Sequence, residues 1–66
     1  MELSYEKPEV KLTGEDGNAF YILGKVIKEM ERAGATKDEI KRYKEEAMSG
    51  DYNNLLTVTM EFVDVF

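Results

Sequence analysis

The chain contains no cysteine, histidine or tryptophan, and only one proline among its 66 residues. Without cysteine no disulfide can staple the fold, and without cysteine or histidine a structural zinc site is excluded for practical purposes. Nor is any catalytic constellation recognisable. Long apolar runs are also missing. Met1-Glu2-Leu3-Ser4 has neither the basic start nor the apolar core of a signal peptide, and the longest uncharged stretch is far short of a membrane span. These absences read as a soluble, cytoplasmic protein with no membrane partner and no cofactor.

A chain of this length holds one domain, taken as residues 1–66 with residues 1–8 as its most flexible part. Such a domain buries only about 60% of the surface its unfolded chain exposes, so its stability is marginal unless something is added. With disulfides and zinc excluded, oligomerisation remains. The apolar share of 42% is ordinary. Seven aromatics, however, are more than so small a core easily hides, which predicts a homodimer whose interface covers them.

The net charge of −5 is unevenly placed. Lys7 and Lys11 against Glu2, Glu6, Glu9, Glu15 and Asp16 leave residues 1–17 at −3, and Asp51, Glu61 and Asp64 put residues 51–66 at −3, whereas residues 18–50 sum to +1. The acidity therefore sits at the two ends. Side by side, they would form a surface that repels nucleic acid and attracts basic partners.

Pro8 suits a strand entrance because it has no amide to donate, and Val10-Lys11-Leu12-Thr13 alternates with the period of a half-buried strand. Gly14 to Gly17 breaks that pattern. Asn18 or Asp16 can cap a helix over 18–33, in which Ala19, Phe20, Leu23, Val26, Ile27, Met30 and Ala33 make one apolar stripe and Gly34 supplies the stop. Gly24, inside this helix, is either slack or a point where another backbone comes close. Thr36 and Glu39 have the spacing of a capping box, opening a second helix that ends near Met48 with Gly50 as its stop. Its narrow buried edge would be Ile40, Tyr43, Ala47 and Met48. Beyond Asp51 the pattern is ambiguous, and a short helix over 52–59 followed by a strand over 61–65 is the reading adopted. Pairing that strand with Val10–Thr13 gives an α+β fold in the order β-α-α-α-β, and the apolar edge Phe62–Phe66 invites pairing with a second copy.

Glu15 and Asp16 sit in a polar turn with no reason for their pKa values to move, so they read as helix-dipole and capping residues rather than an acid and base. Gly14–Asn18 lacks the alternating oxygen ligands of an EF-hand, and its acids occupy the place where a phosphate loop would hold an anion. No catalytic, metal or cofactor residue is therefore assigned, and the chain reads as a non-enzyme. Tyr5, Tyr21, Tyr43, Tyr52, Phe62 and Phe66 cannot all be central in so small a fold, which makes them the residues for a dimer or protein-interaction surface. The alternative is a nucleic-acid regulator contacting phosphates through Lys25, Lys28 and Arg32 on one helix and Lys37, Lys41 and Lys44 on the next. Interleaved acids and a pI near 4.6 count against it. A structural or assembly subunit is a further alternative.

Gly14-Glu15-Asp16-Gly17-Asn18-Ala19-Phe20, then Ile22-Leu23-Gly24, then Ala47-Met48-Ser49-Gly50-Asp51-Tyr52 with Leu55-Leu56, resembles a group of short, uncharacterised proteins of bacteriophages and bacterial mobile elements. The similarity spans about residues 10 to 65. It transfers no catalytic or ligand residue. What the resemblance implies is a setting in which a small acidic protein, inside the bacterial host cell, binds and inhibits a host defence or regulatory protein.

Overall fold

Asn18 opens the first helix, its side-chain oxygen accepting hydrogen bonds from the Phe20 and Tyr21 amides at 2.8 and 3.4 Å. The computed structural model describes residues 3–12, 14 and 17–66; Thr13 and the acidic pair Glu15 and Asp16 lie outside the described residues. Helix α1 spans Ala19–Arg32 and buries Ile22, Leu23, Val26 and Met30. The expected stripe is corrected at one position. Phe20 is 73% exposed, because it falls beyond Leu23 on the outer side of the helix, while Ile22 stands one turn before Val26 and goes inside. At Gly34 the chain turns with φ +94, a left-handed conformation that closes helices well because glycine has no Cβ to clash. At Gly24, by contrast, an added Cβ would meet nothing within 4 Å, so no backbone of this chain comes close.

Helix α2, Lys37–Ala47, starts on the expected capping box. Thr36 Oγ1 accepts from the Glu39 amide at 3.1 Å, and the Glu39 carboxylate accepts from the Thr36 amide at 2.8 Å. Tyr43 and Ala47 are buried and Ile40 half-buried. Met48 is not part of that edge: it caps the helix and is exposed. Gly50 is needed for space rather than for a left-handed stop, since a Cβ there would stand 2.9 Å from that of Asn54, whose side chain donates to the Glu46 carbonyl.

Helix α3 spans Tyr52–Phe62, capped by Asp51. It extends beyond residue 59, so residues 61–62 are helical and the strand is shorter than expected. The physical reason is periodicity: Leu55, Val58, Thr59 and Phe62 are the buried positions, a helical stripe that strand alternation would have split between two faces. Strand β2, Asp64–Val65, pairs in parallel with β1, Glu9–Val10, in the register Glu9 to Asp64 and Val10 to Val65. The Asp64 amide donates to Pro8, the Phe66 amide to Val10 and the Leu12 amide to Phe66. The terminal segments thus pair as expected, although the regular ladder starts one residue before Val10.

These elements make a small α+β domain of three helices and a two-stranded parallel sheet. Tyr43 and Phe62 meet edge to face at its centre, with ring centroids 5.3 Å apart, a contact worth about 0.5–1.5 kcal/mol beyond the area it buries. The Tyr43 hydroxyl shares a 2.8 Å hydrogen bond with Thr59 Oγ1. The segment before β1 straps across this core. Tyr5 donates its hydroxyl to the Phe62 carbonyl at 2.8 Å, and Lys7 reaches the Met60 carbonyl at 2.9 Å. These are α3 carbonyls near its end, where a helix has no partners of its own to offer.

Candidate functional site

The six aromatics singled out from the sequence do not form one surface. Tyr5, Tyr43 and Phe62 are core residues, which corrects their assignment as interaction residues: each fills the space between strap, α2 and α3. Tyr21, Tyr52 and Phe66 are exposed, but on different parts of the fold. Tyr21 lies on the outer side of α1 with Phe20, Gly24, Lys25 and Lys28 around a shallow depression, and the Lys25 ammonium stands 5.9 Å from its ring centroid. Phe66, 58% exposed, follows β2.

Tyr52 belongs to a strongly apolar concavity. Along α3, Tyr52, Leu56 and Met60 recur every fourth residue, which places them in one row on the flank beside the buried stripe. Val65 faces that row from β2, Leu12 from just beyond β1, and Ile22 and Gly17 from the start of α1, around a groove of about 350 Å³. Met60 is 53% exposed at its rim. The Tyr52 hydroxyl is already engaged, donating to the Gly17 carbonyl at 2.6 Å. Apart from that hydroxyl the described side chains lining the groove are apolar, so they present shape and apolar area.

Among the described residues charge is also sparse here. Helix α3 holds a single ionisable acid or base other than tyrosine, Glu61, among its eleven residues, whereas eight of the eleven in α2 are Asp, Glu, Lys or Arg. Depletion of charge around an exposed apolar patch is the compositional mark of an interface centre. Sequence reasoning found Tyr52 but missed Leu56 and Met60. The spacing of four within an uncharged segment was the signal, hidden because the same residues also alternate as a strand would.

The six basic residues of the nucleic-acid reading do not share one groove. Lys25 and Lys28 border the depression by Phe20 and Tyr21, and Lys41 borders another with Asp38, Arg42, Glu45 and Glu46. Arg32 donates to Glu29 at 3.3 Å, and Lys37 and Lys44 are exposed on α2. Acids stand beside the bases in each of these places, Glu29 at the first depression and at Arg32, and Asp38, Glu45 and Glu46 at the second, as the sequence pattern anticipates.

Two neighbouring ionisable groups, Glu39 and Tyr5, are strongly perturbed. The buried Glu39 carboxylate accepts from the Ser4 hydroxyl at 2.6 Å, from the Ser4 amide at 2.8 Å and from the Thr36 amide. The Ser4 bonds foremost, with those from Thr36, hold its pKa down to about 2, against the opposing effect of burial. Burial, with the Glu39 charge second, pushes the Tyr5 phenol up to about 12. This is a lock between strap and helix; its hydrogen-bonding capacity is used within the fold.

Among the described residues, no three acids, histidines or cysteines are grouped to hold a metal ion, and no helix is long and apolar enough to cross a membrane. Comparison with protein-family models, curated proteins and solved structures finds no match to this chain.

Proposed function

We propose that this chain is a non-enzymatic protein-interaction module, a small acidic domain whose groove beside α3 is covered by an apolar element of another polypeptide. The observation that carries this reading is the groove itself: an open apolar surface walled by Tyr52, Leu56 and Met60, with no charged side chain among the described residues that line it. Leaving such a surface in water costs about 25 cal/mol for each Å² of apolar area, which a docked partner recovers.

A homodimer and a host-protein target are both part of the proposal. Support for the target comes from the likeness of the Gly14–Phe20 and Ala47–Tyr52 segments to short phage proteins, which favours action in the bacterial cytoplasm on a defence or regulatory protein. A photo-crosslinking amino acid in place of Met60 tests the reading. Irradiation in host lysate is expected to join the chain covalently to a protein, itself or another, in stoichiometric yield. Absence of any crosslinked protein, with the same probe at exposed Lys37 as the background control, overturns it.

A further inference from the structure

We propose that Ser4 and Glu39 latch the strap, residues 3–8, and that this latch regulates one end of the groove beside α3. It gives the groove, read as a protein-binding surface, a regulator within the same chain, and it rests on that reading. Glu39 lies on α2, which supplies none of the described residues that line the groove, so latch and groove are separate places.

The groove is held differently at its two ends. At one, the Tyr52 hydroxyl ties the start of α3 to the Gly17 carbonyl ahead of α1. At the other, Met60, Val65 and Leu12 are held through the strap. Lys7 donates to the Met60 carbonyl and Tyr5 to the Phe62 carbonyl, and because last-turn carbonyls have no partner within their own helix, these donors fix the turn that carries Met60. Pro8, the last residue of the strap, accepts from the Asp64 amide, and the ladder continues through Phe66 to Leu12. Three groove walls therefore depend on where the strap lies.

Towards the start of the chain, the Ser4 hydroxyl and amide both donate to the Glu39 carboxylate, at 2.6 and 2.8 Å. Bonds to an ionised acceptor are about twice as strong as neutral ones, and the Thr36 amide already orients this carboxylate. Ser4 is exposed whereas Tyr5 beside it is buried, so a release at the surface frees the segment that carries Tyr5 and Lys7. Proteins open locally in contiguous units; here the strap, β1 and β2 form one. Coupling between two sites is reciprocal. An occupant that holds Met60, Val65 and Leu12 in place fastens the strap, and an unfastened strap weakens the occupant.

Amide hydrogen exchange of the full chain and of Ser4→Ala provides the test, since this variant removes the hydroxyl donor and leaves the capping box of α2 intact. Exchange is expected to quicken about fivefold or more at Leu12, Asp64 and Phe66, whose amides close the latched end, and the methyl signals of Met60 and Val65 to shift. Ile22 and Asn54, bonded near the Tyr52 end, should keep the parent's rates. Ser4→Thr, which retains a hydroxyl, restores the parent's pattern, and Lys7→Met, which removes the donor to Met60, reproduces the change at Asp64. Unchanged rates at Leu12, Asp64 and Phe66 in Ser4→Ala overturn the proposal, as does a quickening equal at Ile22 and Asn54, which marks a uniform loss of stability. Exchange alone decides the latch; the crosslinker at position 60 of the parent decides separately whether the groove is a binding surface.

Discussion

Glu39 shows how much one side chain can organise here. Its carboxylate closes the capping box of α2 and also holds Ser4, thirty-five residues earlier in the chain. Because its pKa is depressed, the folded state binds this proton less readily than the unfolded chain does. The resulting stabilisation is fully present above the unfolded value, about 4.3, and is lost as the pH falls towards about 2, the folded value. Glu39→Gln, which lacks the charge, is expected to lower the melting temperature at neutral pH and to narrow the gap from the parent below about pH 4. Thermal melts across that range measure both effects; a gap unchanged by acid would show that the ionised form contributes nothing. The capping half of this arrangement was legible from the Thr36–Glu39 spacing. The Ser4 half was not, because local sequence says nothing about which segment crosses a helix start.

At the scale of elements, two glycines of similar appearance in the sequence separate in the structure. Gly34 holds φ +94 after α1, whereas Gly24 lies in mid-helix with open space where a Cβ would go. Gly24→Ala is therefore expected to stabilise by up to about 1 kcal/mol, and Gly34→Ala to destabilise by about 1 kcal/mol or more. Denaturant titration of the two variants reads the opposite signs, and equal signs would refute the assignment. Helix order, the Asn18 and Thr36 starts and the terminal strand pair were all legible, because caps and periodicity are local signals. The end of α3 was not: Leu56, Val58, Met60 and Phe62 fit two periods equally well. What decides between them is tertiary, the burial of Phe62 against Tyr43 and the capping of late α3 carbonyls by Tyr5 and Lys7. The groove was missed for the same reason, since its Leu56 and Met60 acquire a common face only once the segment is helical.

On the scale of the molecule, the radius of gyration of 10.7 Å agrees with the roughly 10.8 Å expected of a folded chain this long. The single chain is thus already closely packed, and self-association would cover the α3 flank rather than complete an unfinished core. Closure depends on the parallel pair, which links Glu9 with Asp64. Deleting residues 64–66 removes the amide donors of Asp64 and Phe66, the carbonyl that holds the Leu12 amide, and the Lys7–Asp64 ion pair. Hydrogen exchange is expected to quicken at Val10 and Leu12 and to expose the Tyr5 strap, with α2 and α3 less affected because they pack most extensively on each other. Unchanged exchange at Leu12 would show that the sheet contributes no protection. During translation the same link imposes a wait: at about 5–20 residues per second the first strand spends several seconds without its mate. Val10 cannot be sealed in until β2 has been made, so the helices are left to gather around a site whose last wall arrives after them.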